Sequence, residues 1–130
     1  MTGDAFQKTY QLVDEKLALF NEEHYISVWR VSIKELNEQA REALFDALFG
    51  FEHADLEVQV DVSEESQDTW YLQLLIPYLF TPLEQAQKRL IRGGIALSNY
   101  LKECGFELEA SSLRETEIYN YLKRYNPEIA

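Results

Sequence analysis

The chain of 130 residues contains a single cysteine, Cys104, and only two histidines, His24 and His53. One cysteine cannot form an internal disulfide or supply the sulfur ligands of a structural zinc site, which favours a reducing compartment. Both histidines stand at the ends of predicted elements, where solvated imidazoles are common, whereas a metal or proton-transfer site needs several converging groups. The sequence therefore predicts no catalytic, metal-ligating or cofactor-binding residue, and we expect a protein that is not an enzyme and needs no cofactor.

Long apolar segments are missing as well. No stretch approaches the roughly 18 uncharged apolar residues that a membrane-spanning helix requires. The first sixteen residues, MTGDAFQKTYQLVDEK, contain no apolar core of a secretory signal. These absences predict a cytoplasmic protein with no membrane partner.

Basic residues are scarce. The chain has 12 lysines and arginines against 23 aspartates and glutamates, for a net charge of −11 and a pI near 4.5. Such a charge repels phosphate groups, so direct binding to nucleic acid is excluded as a general function.

The apolar content is sufficient for a folded core. Hydrophobic residues make up 46% of the chain and aromatic residues 13%. A chain of this length is typical of one domain, and it buries enough surface to fold without disulfides or metals. We expect residues 1–130 to form a single α+β domain.

Hydrophobic periodicity predicts the secondary structure. Residues 4–21 are predicted as an amphipathic helix, because five apolar residues are spaced by four, three, four and three: Phe6, Tyr10, Val13, Leu17 and Phe20. The predicted strands are His24–Ile33, 56–62, Thr69–Phe80 with its ladder ending at Pro77, and 106–110. The other predicted helices begin at Ser32, with a capping box to Glu35, at Thr81 and at Ser112, and end at Gly50, Gly105 and Asn126.

The order of these elements is helix, then β-α-β-β-α-β, then helix. The central six elements match the ferredoxin-like arrangement, or a related antiparallel sheet, in which both helices cover one face and the strand order is 4-1-3-2. A meander flanked by helices is the alternative, and it differs only in strand order. The Gly93-Gly94 pair inside the long helix predicts either close helix–sheet packing or a bend.

Acidic residues are concentrated in one span. Residues 52–68 contain seven acidic residues and no lysine or arginine. Within the predicted strand, Glu57, Gln59 and Asp61 share a face if the intervening valines are buried, at a spacing of about 7 Å. That spacing approximates every second phosphate along a nucleic-acid strand. The alternative is a solvated face whose charges protect a sheet edge from aggregation.

This patterning predicts a non-enzymatic protein that caps the basic, nucleic-acid-binding surface of a partner such as a nuclease or toxin. The more specific hypothesis is an inhibitor of the immunity-protein, antitoxin or phage anti-defence (anti-CRISPR) type that acts as a nucleic-acid mimic. The alternatives are a small acidic chaperone for a secreted effector, with a homodimer possible, and a small enzyme on a ferredoxin-like scaffold, which a pocket containing His53 would indicate. The predicted protein-binding residues are Glu52, Asp55, Glu57, Asp61, Glu64, Glu65, Asp68 and Tyr71. The tyrosine-rich helix with Tyr119, Tyr121 and Tyr125 is the next candidate surface.

Overall fold

A computed structural model describes residues 10–20, 23–33, 37–53, 56–62 and 69–125. The described residues form an antiparallel six-stranded sheet and three helices, which confirms the α+β class. The elements are β1 (Tyr10–Asp14), β2 (Leu17–Phe20), β3 (His24–Ile33), α1 (Glu38–Gly50), β4 (Glu57–Val62), β5 (Thr69–Pro77), α2 (Leu83–Glu103), β6 (Leu108–Ser112) and α3 (Glu115–Tyr125). None of these helices is both long and apolar enough to cross a membrane.

The sheet is organised around β3. The strand order is β1-β2-β3-β5-β4, and β6 also pairs with β3. β5 follows one edge of β3 along almost its whole length. The other edge is shared, because β2 pairs with the first part of β3, up to Ile26, and β6 pairs with the second part, from Trp29 onward. Among the described strands β4 has only β5 as a neighbour, so it forms an edge of the sheet.

Both faces of the sheet are covered. One apolar cluster joins α1 and α2 to the first face and includes Trp70, Leu74, Leu90 and Leu97. A second cluster joins α3 to the opposite face through Ile118, Tyr121 and Leu122. Because β5 is buried on both faces, its residues are nearly all apolar, as in a central strand. Trp70 and Leu74 on β5 thus share one core with Leu90 and Leu97 on α2.

The helix predicted over residues 4–21 is wrong for residues 10–20, which form the β1–β2 hairpin; residues 4–9 lie outside the described part of the chain. The hairpin turns at Asp14–Lys16, where Asp14 Oδ1 accepts a hydrogen bond of 3.1 Å from the Lys16 amide. Leu17 joins the first apolar cluster and its neighbour Ala18 joins the second. A strand buried on both faces shows no polar–apolar alternation, so the spacing of its apolar residues imitated a helix.

Two predicted helix starts are also wrong. Ser32 lies in β3, where it pairs with Thr69, and Ser112 is the last residue of β6. α1 is instead capped by Asn37, whose side-chain oxygen accepts a 2.8 Å hydrogen bond from the Ala40 amide. The strand His24–Ile33 and the end of β5 at Pro77 are as predicted, whereas β6 lies two residues later than expected.

The Gly93-Gly94 pair marks close packing, as predicted. α2 continues through both glycines without interruption. A Cβ atom on Gly93 would overlap the side chain of Leu56, and a Cβ atom on Gly94 would overlap the indole of Trp29. The two glycines therefore let α2 lie close to the sheet.

Candidate protein-binding surface

β4 carries two of the predicted site residues on a regular edge strand. Its six residues pair with β5 in unbroken register, from Glu57 opposite Leu75 to Val62 opposite Trp70. Glu57 is exposed, and Val58 packs against the first apolar cluster. Directly opposed residues share a face, so Glu57 lies on the face of Leu75 and away from α1 and α2. The strand thus presents acid on one face and apolar contact on the other.

A ridge of α1 points away from α2. Arg41, Phe45 and Phe49 are four residues apart and share one side of the helix. The opposite side faces α2, because Tyr100 donates a 2.8 Å hydrogen bond to the Ala47 carbonyl. Phe49 is 87% exposed and Phe45 39%. Two large aromatic side chains are therefore open to solvent on the ridge.

The ridge lies over β5, the strand next to β4. Phe45 packs on Trp70 with ring centroids 4.9 Å apart, and the Arg41 guanidinium lies 5.8 Å from the Trp70 ring. Trp70 belongs to β5, where its ladder partners are Val62 on β4 and Val31 on β3. α2, by contrast, packs against β3, β5 and β6. The aromatic ridge is therefore one strand away from the open edge of β4.

Four exposed carboxylates belong to the same part of the chain as the ridge and β4. They lie on α1, in the segment that follows it and at the start of β4: Glu42, Asp46, Glu52 and Glu57. We call this area, made of strand β4, the Phe45–Phe49 ridge and these four carboxylates, the β4 edge surface. It combines apolar area with negative charge, and Arg41 lies beside it.

The seven acidic residues among the predicted site residues fall into three groups. Glu52 and Glu57 are exposed within the β4 edge surface. Asp61 pairs with Tyr71 in the ladder, which places it on β4, although its side chain is outside the described part of the molecule. The remaining acidic residues lie in segments outside the described residues: Asp55, Glu64, Glu65 and Asp68.

The expectation that Tyr71 lies on the exposed binding surface is wrong. Its side chain is only 9% exposed and belongs to the cluster beneath α3. The ring packs against Tyr121 at 4.9 Å, and the Arg30 guanidinium lies 5.7 Å from its centroid. The prediction failed because it treated the second face of β5 as solvated, whereas α3 covers that face.

The tyrosines of α3 have different environments. Tyr121 is buried, and its hydroxyl accepts a 2.8 Å hydrogen bond from the buried amide of Gln73. Tyr119 is 46% exposed, with the Lys123 ammonium 5.4 Å from its ring. The side chain of Tyr125 lies outside the described part of the molecule. Tyr119 alone is thus shown to be a surface residue, while Tyr121 belongs to the core.

Sequence analysis missed Phe45 and Phe49. A signal was present, because apolar residues at 44, 45, 48 and 49 cover a wider arc of α1 than one buried stripe needs. Leu44 and Leu48 occupy the core, which leaves the two phenylalanines on the outside. Which pair would be buried depends on the neighbouring helix and sheet, which the local pattern does not contain.

The histidines and tyrosines outside this surface have ordinary structural environments. His53 stacks on Phe51 with ring centroids 6.4 Å apart, and His24 pairs with Pro77 at the start of β3. Within the described ranges, no three His, Cys, Asp or Glu side chains converge as a metal site would require. Burial and the nearby Tyr78 raise the pKa of Tyr25. Burial and the adjacent Cys104 thiol raise the pKa of Tyr100.

Comparisons with known proteins add little. No protein-family model matches the sequence, and no curated protein matches it. Among solved structures the chain is similar to the crystal structure of PelD 158-CT from Pseudomonas aeruginosa PAO1, with a TM-score of 0.40 and 15% sequence identity. The match covers 81% of this chain and 39% of the PelD chain.

Proposed function

We propose that the protein is a non-enzymatic binding domain that docks on a basic surface of a partner protein through the β4 edge surface. The observation that carries this proposal is an acidic edge strand next to β5, the strand on which the Phe45–Phe49 ridge packs. Phe49 is 87% exposed and Phe45 39%, so the ridge offers apolar area to another molecule.

Each part of this surface has a role in binding. Aromatic side chains near the centre of an interface contribute most of the binding energy, because they remove large apolar areas from water. Carboxylates around them, such as Glu52 and Glu57, attract a cationic partner and raise its association rate. No bound metal or catalytic group is needed for this function.

A nucleic-acid-binding effector is the partner class that the charge favours. Such effectors present cationic grooves, and an inhibitor that occupies the groove competes with phosphate. The acidic span of residues 52–68, with no lysine or arginine, supports an inhibitor of the immunity-protein, antitoxin or anti-defence type. Residues 63–68 of this span lie outside the described structure, so support from geometry comes from Glu52 and Glu57.

A chaperone for a secreted effector is the second candidate, and exposed apolar residues away from β4 favour it. Leu79 and Phe80 in the turn before α2 are 68% and 94% exposed, and Phe80 has a positive φ of 65°. Ile91 and Ile95 are also exposed on one side of α2. Apolar surface of this kind suits an unfolded client or a second copy of the chain.

We also propose that the central elements follow the ferredoxin-like arrangement. The neighbour order β6-β3-β5-β4 and the antiparallel pairing throughout support it, as does the placement of α1 and α2 against the same face. The β1–β2 hairpin and α3 are additions to that arrangement.

The functional test is charge reversal with a matched control. The test variant combines E42K, E52K and E57K in the β4 edge surface, and the control combines E84K, E103K and E109K, which are exposed on α2 and β6. Both variants change the net charge equally. Partners captured from the source cell by the wild-type protein are identified, and their association rates are then measured with each variant at two salt concentrations.

The proposal predicts a basic partner whose association slows by about tenfold or more with the test variant and changes much less with the control. Salt is expected to slow the wild-type association as it screens the charges. A partner that is acidic, or that binds all three proteins equally, would contradict the proposal. Inhibition of a captured nuclease selects the inhibitor, whereas protection of an effector from aggregation selects the chaperone.

A further inference from the structure

We infer that β4 accepts an added strand from the partner, and that this strand is an extended segment with alternating basic and apolar residues. This inference rests on the proposed function and specifies how the β4 edge surface binds. The added strand would bind through main-chain hydrogen bonds as well as through charge. Docking by side chains alone would not involve such hydrogen bonds.

The main chain of β4 offers the required hydrogen-bonding groups. Six consecutive residues pair with β5 without a bulge, so the strand is regular over its whole length. In such a strand about half of the N–H and C=O groups point to the neighbour and the rest point outward. No other described strand pairs with that outer side. The outward groups are therefore a template for one more strand.

β4 has few of the usual protections of a sheet edge. Natural edges are commonly blocked by charged side chains, lysine above all, by proline, by a bulge or by a very short strand. The β4 sequence, EVQVDV, contains no lysine or proline, its register is continuous, and six residues is an ordinary strand length. Its only charges are negative. An edge of this kind excludes acidic strands while remaining open to basic ones.

Charge argues against a second copy of the chain as the added strand. Pairing β4 with its own copy would bring two strands together that carry only negative charges. The surrounding span of residues 52–68, which contains seven acidic residues and no lysine or arginine, would also meet its own copy. Directly opposed like charges destabilise a strand pair. The occupant that fits is a segment with lysine or arginine.

Alternation in the added strand follows from the two faces of β4. A residue opposite Val58 would lie on the face of the sheet that α1 and α2 cover, and apolar side chains suit that face. A residue opposite Glu57 would lie on the other face, where a basic side chain pairs with the carboxylate. Successive residues of a strand alternate between these faces, so basic and apolar residues should alternate.

The experiment uses three short synthetic peptides with the full-length protein. The first is acetyl-KVKVKVK-amide, the second is the same peptide N-methylated at two consecutive central residues, and the third is acetyl-EVEVEVE-amide. N-methylation at consecutive positions removes a donor from both edges of the peptide strand while keeping its charge and side chains. Binding is measured by calorimetry, and amide hydrogen exchange reports the protection of β4. Protein variants E57K and E84K are compared with the wild type.

The inference predicts that the basic peptide binds and slows exchange at alternate β4 amides, whereas the acidic peptide does not bind. The N-methylated peptide should bind about tenfold more weakly, because it loses one main-chain hydrogen bond to β4 and the N-methyl group on that edge obstructs close approach of the two strands. E57K should weaken binding of the basic peptide, and E84K, on α2, should not.

Three results would overturn strand addition. One is equal binding of the basic and N-methylated peptides, and another is binding without new protection in β4. Both would leave the proposed function intact as docking through charge and apolar contact. The third is slow exchange at all β4 amides in the free protein, which would show that the edge is already paired. Failure of the proposed function is recognised separately, by captured partners that bind regardless of E42K, E52K and E57K.

Discussion

The indole of Trp29 on β3 lies directly against the backbone of Gly94 in the middle of α2, with no room for a Cβ atom between them. One residue earlier, Gly93 stands in the same relation to the side chain of Leu56, the residue before β4. The two glycines therefore determine how closely α2 approaches both the centre of the sheet and the start of β4.

Replacing Gly94 with alanine should destabilise the protein. A Cβ atom would overlap the indole, and overpacking of a core costs about 1–3 kcal/mol, which exceeds the roughly 1 kcal/mol that alanine gains in helix propensity. The free energy of unfolding is measured in urea for G94A, W29F and the double variant. If the overlap is the cause, the cost of G94A should be smaller in the W29F background. A more stable G94A protein would show that α2 can move away from the sheet without loss.

Truncation to alanine should change the free energy of unfolding far more at Trp70 than at Phe49. Trp70 is fully buried, so W70A should lose about 3–5 kcal/mol of unfolding free energy through lost burial and a cavity. Phe49 is 87% exposed, and F49A should change stability by no more than about 0.5 kcal/mol. F49A should instead weaken binding of the partner, in a protein that remains folded. A large stability loss in F49A would instead make Phe49 part of the core.

Alkaline pH should lower stability through Tyr25 and Tyr100. Burial and neighbouring groups raise the pKa of both phenols in the folded protein, so each phenol keeps its proton there when the unfolded chain begins to lose it. The contribution of these two phenols to the free energy of unfolding is complete below about pH 10, the pKa of a phenol in the unfolded chain. It is lost as the pH rises through the pKa that each phenol has in the folded protein.

Melting temperatures between pH 8 and pH 11 test this prediction. Y25F and Y100F should each show a shallower fall above pH 10 than the wild type, because they lack the ionising group. Y119F is the control, since Tyr119 is 46% exposed. A fall of equal steepness in all four proteins would assign the alkaline loss to other groups.

Neutralising the carboxylates of the β4 edge surface should leave the fold intact. Glu42, Glu52 and Glu57 are exposed, and the protein carries a net charge of −11, so their removal reduces repulsion. The variant E42Q/E52Q/E57Q should melt at the same temperature as the wild type or slightly above it at low salt. The difference should shrink at about 1 M salt, where the Debye length is about 3 Å. A marked loss of stability would give these carboxylates a structural role instead.

Each strand could be predicted only as far as its environment leaves a pattern in the sequence. β3 was predicted to the residue because its β-branched and aromatic run has clear ends, and Pro77 ended β5 because proline cannot continue a ladder. The β1–β2 hairpin was missed because Leu17 and Ala18 are buried on opposite faces, which removes the alternation that identifies a strand.

The exposure of the predicted site residues could be foreseen only in part. Glu52 and Glu57 are exposed, as charged side chains usually are. Tyr71 was misplaced because only the packing of α3 decides that its face of β5 is covered. The exposure of Phe49 could not be foreseen either, since it depends on which side of α1 meets the sheet.

The shared edge of β3 has a consequence for synthesis on the ribosome. The edge from Trp29 to Ile33 is completed by β6, which is made some 80 residues after β3. A nascent chain that has finished α2 therefore exposes this half of β3 to other polypeptides, and the face that α3 later covers is exposed with it. Once β6 and α3 have been made and have folded, both are covered. The growing protein therefore passes through a stage in which half of β3 is open to pairing, whereas in the folded protein β6 pairs with it and β4 still presents an edge.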